Sequence, residues 1–160
     1  MQLDKYPFVK TEENHRYEFN SKGPKGVVRK IVLYDNTNFQ GIAIFNLAFG
    51  DYDPVIDLND RIVTNNNDRK KILSTVAATV LEFINDRPKS AIYAVGSTPS
   101  RNRLYQMGIN LIWDEIKAEM DLFGSLNQSW EFFSKGINYE AFMIAHKSLK
   151  FNPNNKKVLI

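Results

Sequence analysis

The residues best suited to chemistry are the hydroxyl and guanidinium side chains of the segment STPSRNR at positions 97–103. This segment follows the apolar run AIYAV at 91–95, which predicts a buried strand that leads directly into a helix. A helix N-terminus presents unpaired N–H groups and a partial positive charge, and both attract anions. Ser97, Thr98, Ser100, Arg101 and Arg103 are therefore predicted to bind an anionic ligand.

Structural roles compete with this interpretation. Ser97, Thr98 and Ser100 are typical of a helix cap, with proline next to them at the first helical position, and the cap is the favoured interpretation. Arg101 and Arg103 are two positions apart on a helix, so they point in different directions and one of them at most needs to face a ligand. The alternative is that one arginine is a surface charge and the other pairs with a carboxylate.

The elements that position these residues follow from turn signals and hydrophobic periodicity. Residues 16–19, 27–34 and 40–50 predict three antiparallel strands, and residues 51–67 predict a polar loop. A long helix follows, with Asp68 at its start and the threonines at 75 and 79 on other faces than the apolar one. Its predicted core face consists of Ile72, Leu73, Val76, Val80, Phe83 and Ile84.

The second half of the chain continues with the strand at 91–95 and with the helix that opens at Ser100. Gly108 predicts a break in that helix, followed by a second helical segment to about Lys117. A hairpin around residues 126–128 and a final strand at 139–145 complete the order β-β-β-α-β-α-β-β-β. This order predicts an α+β (mixed α/β) fold with one central, mostly antiparallel sheet and two main helices.

Length and tail composition set the expected domain organisation. The 160 residues correspond to one domain, which we expect to span residues 1–148. Residues 149–160 are polar and rich in turn-forming residues, and they are expected to form a loosely ordered tail.

Composition also excludes several classes of function. The chain has no cysteine and two distant histidines, and its aspartates at 51, 53, 57 and 60 lack the spacing of a calcium loop, so no metal site is predicted. It has neither a signal-peptide pattern nor a long apolar run, so a cytoplasmic protein without a membrane partner is expected. The net charge of +3 is too small to indicate nucleic acid, and the oligomeric state is not indicated.

Several motifs resemble a family of bacterial proteins, found chiefly in the Bacteroidetes, that is known only as a domain of unknown function. These motifs are VTNNND at 63–68, LSTVAATV at 73–80, RNRLY at 101–105, MGI at 107–109 and YEAF at 139–142. The resemblance covers most of residues 6–147, and it implies no known activity.

The element order and the run LYQMGI at 104–109 are also similar to the GNAT acyltransferase fold. That resemblance implies acetyl-coenzyme A as the cofactor, with Tyr105 as the general acid that protonates the leaving thiolate. It also implies that the two helices begin at the same end of the sheet, where both could line one pocket. The competing interpretation of Tyr105 is a half-buried packing residue with its hydroxyl at the surface.

The chain departs from the GNAT pattern at the start of its long helix. The loop NDRKKI at 67–72 contains no glycine, although glycines are what let backbone N–H groups approach a phosphate closely. Asn67 is a partial substitute, because asparagine tolerates left-handed backbone geometry better than most residues. Arg69 and Lys70 supply positive charge, and we expect Asn67, Arg69 and Lys70 to complete the anion site.

Two functions from different classes therefore remain. The first is a ligand- or partner-binding module with a GNAT-like fold and no cofactor, whose partner is an unidentified small anion or a protein. The second is a divergent N-acyltransferase that uses acetyl-coenzyme A. The missing glycines favour the first, so the sequence points away from an enzyme.

Overall fold

A computed structural model describes residues 4–11, 15–37, 42–60 and 64–154. In this part of the chain, nine strands form one sheet with two helices. The first five strands are β1 (Val9–Lys10), β2 (Arg16–Gly23), β3 (Gly26–Asn36), β4 (Ala43–Asp53) and β5 (Asp57–Asn59). The remaining elements are α1 (Arg69–Asp86), β6 (Ser90–Ala94), α2 (Pro99–Ile116), β7 (Met120–Leu126), β8 (Ser129–Phe132) and β9 (Ala141–His146), and a single 3₁₀ turn at Lys147–Leu149 follows β9.

The sheet has the strand order β1-β2-β3-β4-β6-β9-β7-β8, and the short β5 pairs with β4. β4 and β6 are parallel, whereas the other pairs are antiparallel, which confirms the predicted mostly antiparallel α+β fold. The main apolar core includes residues of both helices and of the sheet. A smaller core forms from alternate residues of the strands, such as Phe123 and Met143, and therefore lies on the opposite face.

The predicted loop at 51–67 is partly wrong, since β4 extends to Asp53 and β5 follows within it. β4 is longer than its composition suggests, because side chains near its end contact charged side chains of the neighbouring strand β3. Asp51 forms an ion pair with Lys30 of β3, and the guanidinium carbon of Arg29 lies 4.1 Å from the centre of the Tyr52 ring. These contacts offset the low strand propensity of aspartate.

The predicted core face of α1 is buried, with Val80 partly so. Thr75 and Thr79 are also fully buried, although they lie on another face of the helix. The Thr75 hydroxyl donates to the carbonyl of Lys71 (2.7 Å) and accepts from the backbone N–H of Tyr6 (2.9 Å). The Thr79 hydroxyl donates to the carbonyl of Val76 (2.7 Å) and lies 2.9 Å from the hydroxyl oxygen of Tyr34. The hydroxyl groups of both threonines therefore have hydrogen-bond partners inside the protein, which allows a second face of α1 to be buried.

The predicted break at Gly108 is wrong, because α2 is one continuous helix. Gly108 is buried, and a Cβ atom at this position would lie 3.8 Å from the Cβ of Leu73 on α1. Glycine costs a helix interior about 1 kcal/mol relative to alanine, and the packing of α2 against α1 offsets this cost. The predicted cap is confirmed at Thr98, whose side chain accepts a 3.2 Å hydrogen bond from the N–H of Arg101.

The C-terminal third contains the predicted hairpin, with Asn127 and Gln128 at φ 50° and 66° between β7 and β8. The segment after β9 contacts this hairpin. Phe151 is buried with its ring centroid 6.1 Å from that of Phe123, and the Asn154 side chain bonds both the N–H and the carbonyl of Trp130. Residues 149–154 of the predicted tail thus pack on the sheet, while residues 155–160 lie outside the described residues.

Candidate functional site

The candidate site lies where two parallel strands diverge. β4 and β6 pair from Ala43↔Ser90 to Leu47↔Ala94, after which β4 continues to Asp53 and β6 ends. The chain then turns at Gly96 into α2. A Cβ atom on Gly96 would lie 2.1 Å from the backbone nitrogen of Asn102, so this close approach requires glycine. The turn places the first residues of α2 beside the part of β4 that β6 no longer covers.

Arg101 fills this gap. The residue is 4% exposed, its guanidinium donates a hydrogen bond to the backbone carbonyl of Phe49 on β4, and its Cζ lies 4.5 Å from the centre of the Phe49 ring. Burial lowers the pKa of Arg101, although nearby acidic groups oppose the shift, and an arginine stays protonated at neutral pH. Among the described residues, no carboxylate forms an ion pair with Arg101. The structure therefore holds a buried cation whose charge is not directly neutralised.

A small cavity adjoins this guanidinium, and we call it the polar cavity. Its volume is about 30 Å³, and its lining includes Arg101 of α2, Arg69 of α1, Lys30 of β3 and Asp68. The Lys30 ammonium pairs with Asp51, whose other oxygen accepts a 2.6 Å hydrogen bond from the Thr64 hydroxyl. With Asp51 included, these groups carry three positive and two negative charges, and the Asp60 carboxylate also acts electrostatically on Arg101.

The loop before α1 forms one wall of the polar cavity. Asn66 is 1% exposed, and its amide bonds the Ser21 hydroxyl (3.1 Å), the carbonyl of Gly26 (2.9 Å) and the N–H of Lys25 (2.7 Å). Asn67 has the left-handed φ of 58°, in agreement with the expectation that asparagine takes such geometry here. Its N–H donates a 3.1 Å hydrogen bond to the side chain of Asn65. Folding thus assigns each of the three asparagines a structural role.

The first turn of α1 has an unusual charge distribution. Asp68 occupies the N-cap position, yet its side chain does not cap the helix and instead accepts from the hydroxyls of Tyr6 (2.6 Å) and Ser21. Arg69, Lys70 and Lys71 follow, with no acidic residue in the first turn. Cations near a helix N-terminus oppose the helix dipole, which favours anions there. This helix start therefore carries three cations and one carboxylate, and Oδ1 of that carboxylate is buried without a hydrogen-bond partner among the described residues.

A second and larger cavity lies on another side of the start of α2. This cleft has a volume of about 470 Å³, and its lining includes Ser97, Thr98 and Arg103 together with Asn138 and Glu140. Asn102 and Gln106, which also line it, fix its far wall through hydrogen bonds to the backbone carbonyls of Tyr139 (2.7 Å) and Ile137.

The structure therefore separates the predicted site residues. Arg69 and Arg101 line the polar cavity, Ser97, Thr98 and Arg103 line the cleft, and Asn67, Lys70 and Ser100 line neither of these two cavities. Arg101 and Arg103 do face different cavities, as their spacing predicts.

Tyr105 lies one helical turn after Arg101. It is 8% exposed, and its ring centroid is 6.3 Å from that of Phe49. Burial raises the pKa of Tyr105, although the charge of Arg101 and the backbone of Phe49 oppose the shift. Tyr105 also lines an apolar cavity of about 60 Å³ between the helices and the sheet. The residue is therefore a buried, neutral phenol and not the surface hydroxyl of the competing interpretation.

Sequence reasoning missed two residues of this site. Phe49 contributes a backbone carbonyl and a ring face, and no side-chain pattern indicates such a role. Lys30 could have been identified from the sequence, because it is a cation within the run VVRKIVLY, whose apolar residues predict a buried strand.

In the part of the chain that the structure describes, no group of three or more acidic or histidine side chains could hold a metal ion. Neither described helix is long and apolar enough to cross a membrane.

No curated protein and no solved structure matches the chain. A family model described as "Family of unknown function (DUF6934)" matches residues 2–147. Since this match covers nearly all of the sequence, the chain belongs to the DUF6934 family of unknown function.

Proposed function

We propose that this chain is a ligand-binding module that takes a small anion at the polar cavity, with Arg101 as the main contact. The observation that carries the proposal is the burial of Arg101 without a carboxylate partner among the described residues. Buried charges in proteins are normally paired, because an unpaired charge in a low-dielectric interior is costly. A bound anion would supply the missing partner.

The start of α1 supports the same proposal. Arg69 lines the polar cavity, and the neighbouring first-turn residues are basic and lack a side-chain cap. An anion near this helix start would interact favourably with both the helix dipole and the cations. A cavity of about 30 Å³ has room for roughly two water molecules, so the group that enters it must be small, such as one carboxylate or phosphate.

Isothermal titration calorimetry at low salt tests this proposal with inorganic phosphate, sulfate and acetate as probes. At least one of these anions should bind the native chain, and Arg101→Gln should weaken its affinity at least tenfold. Arg103→Gln is the matched control, because Arg103 is an exposed arginine on the same helix that faces the cleft. Added salt should also weaken binding.

A second variant guards against misfolding of Arg101→Gln, which circular dichroism would detect. Arg69→Gln changes an exposed cation of the same cavity, and it should reduce affinity several-fold without loss of the fold. The proposal is wrong if none of the three anions binds the native chain, or if both cavity variants bind as tightly as Arg103→Gln does.

A second candidate function is the divergent N-acyltransferase that uses acetyl-coenzyme A. The observation in its favour is that Tyr105 is a protonated phenol buried beside the gap between β4 and β6, where a leaving thiolate could take its proton, although burial raises its pKa and makes it a weaker acid. Two observations argue against this candidate. The Phe49 carbonyl already accepts a hydrogen bond from Arg101, and the loop before α1 has no glycine that would let backbone N–H groups approach the phosphates of the cofactor. Micromolar binding of acetyl-coenzyme A in calorimetry would favour this candidate, and Tyr105→Phe should then slow acyl transfer more than it weakens binding.

A further inference from the structure

We infer that the ligand of the polar cavity is a short aliphatic carboxylate, with its carboxylate on Arg101 and its hydrocarbon chain in the neighbouring apolar cavity. This inference rests on the proposed function, and it adds the chemical class of the ligand.

The polar cavity and the apolar cavity share part of their lining. Phe49, Leu73 and Leu104 line both the polar cavity and the apolar one. The two cavities therefore adjoin at these three residues, so a molecule bound to Arg101 lies next to an apolar space. An anion without a hydrocarbon part would leave that space unused.

The arrangement of residues along α2 also suits such a ligand. Arg101, Leu104, Tyr105 and Gly108 are spaced at i, i+3, i+4 and i+7, so they follow one face of the helix. This face covers about 10 Å along the helix axis. A linear ligand on this face would contact a cation at one end and apolar groups at the other. This arrangement is complementary to a fatty carboxylate, which has an anionic head and an apolar chain.

The size and chemistry of the apolar cavity favour a hydrocarbon chain. Its lining is hydrophobic apart from the Tyr105 hydroxyl, with Leu73, Val76 and Ala77 from α1 opposite Gly108 and Ile112 from α2. Its volume of about 60 Å³ is well below the ~150 Å³ of an engineered cavity that admits benzene. A short unbranched chain therefore fits this space better than a ring does.

The charge of Arg101 also suits a carboxylate. Its guanidinium carries one positive charge and forms no ion pair among the described residues, and a monoanionic carboxylate neutralises that charge. The guanidinium also presents several N–H donors in one plane, a geometry that suits a carboxylate. One of these donors is used by Phe49.

Calorimetry with acetate, butyrate and hexanoate tests the inference on the full chain. Butyrate should bind roughly tenfold more tightly than acetate, because two more methylene groups leave water. Butyramide, which has the same chain without the charge, should not bind measurably. Arg101→Gln should weaken all three carboxylates, and Arg101→Lys should weaken them less, because it keeps the charge but not the planar donors.

Gly108→Ala provides an independent steric arm. The added methyl group would enter the apolar cavity 3.8 Å from the Cβ of Leu73, and alanine is the better helix former. We expect this variant to fold and to lose most of the preference for butyrate and hexanoate over acetate.

The outcomes separate the inference from the proposed function. If acetate or phosphate binds through Arg101 but chain length has no effect, the anion site stands and the aliphatic carboxylate is wrong. If Gly108→Ala leaves the preference for butyrate unchanged, the chain does not occupy the apolar cavity and the inference is also wrong. If no anion binds the native chain, both fail.

Discussion

Lys30 and Arg101 are both buried cations, yet the protein surrounds them differently. The Lys30 side chain is 3% exposed and pairs with Asp51, which the Thr64 hydroxyl also contacts. Arg101 has a backbone carbonyl and an aromatic ring as its neighbours. The charges of Lys30 and Asp51 neutralise each other, so this pair fits a structural role. The guanidinium of Arg101 retains its charge, which is why we assign the ligand to it.

The structural role of Lys30 can be measured. Lys30→Met should lower the free energy of unfolding by about 3–5 kcal/mol, because it leaves the Asp51 carboxylate buried without its cation. The double variant Lys30→Met, Asp51→Asn should lose less, since the amide oxygen can still accept from Thr64 and no charge is left unpaired. Urea denaturation measures both. Equal losses in the single and double variants would contradict the explanation that the unpaired Asp51 carboxylate causes the loss.

At the residue scale, the sequence predicts what depends on local geometry. The different directions of Arg101 and Arg103 follow from helical spacing, and the cap at Thr98 follows from hydroxyl chemistry before a proline. The partner of Arg101 was not predictable, because the Phe49 carbonyl becomes available only where β4 and β6 diverge. Such a contact between residues 52 positions apart depends on the whole sheet.

At the scale of elements, α1 combines a well-packed body with an unfavourable start. Its body is buried on two faces, whereas its first turn contains three basic residues and no side-chain cap. Conflicts between local preference and global fold tend to occur at functional sites. If the start of α1 is kept basic in order to attract an anion, removing that charge should stabilise the fold and weaken ligand binding.

Arg69→Glu tests this trade-off between stability and binding. The variant should raise the free energy of unfolding by about 0.5 kcal/mol at low salt, because an anion in the first turn interacts favourably with the helix dipole. It should also abolish acetate and phosphate binding at the polar cavity. Thermal denaturation and calorimetry on the same samples measure the two effects. A loss of stability would contradict the electrostatic account of this helix start.

The limits of sequence prediction at this scale appear in the two helices. The periodicity of α1 predicted its core face, because that face reflects one continuous packing surface. The predicted break in α2 was wrong, because glycine's poor helix propensity is local whereas the contact of Gly108 with Leu73 is tertiary. Thr75 and Thr79 were placed outside the core for a similar reason, since their partners Tyr6 and Tyr34 belong to distant segments.

At the scale of the whole molecule, the two faces of the sheet are covered differently. Residues of both helices belong to the main core, whereas Leu149 and Phe151 contact a second core that includes Phe123 and Met143. The side chain of Asn154 bonds the backbone of Trp130 in β8 much as a neighbouring strand would. Since β8 is an edge strand of the sheet, this contact also protects an exposed edge. We therefore expect the segment at 149–154 to be part of the domain.

Truncation decides whether the domain ends at residue 148, as composition suggests, or extends to Asn154. A chain of residues 1–148 should be less stable than a chain of residues 1–154, because it lacks the buried ring of Phe151 and the contact of Asn154 with β8. Phe151→Ala in the full chain should account for most of the loss, about 3 kcal/mol. Urea denaturation measures stability, and light scattering should detect self-association of the shorter chain through its uncovered edge. Equal denaturation midpoints for the two truncated chains would mean that residues 149–154 contribute nothing and form the loosely ordered tail.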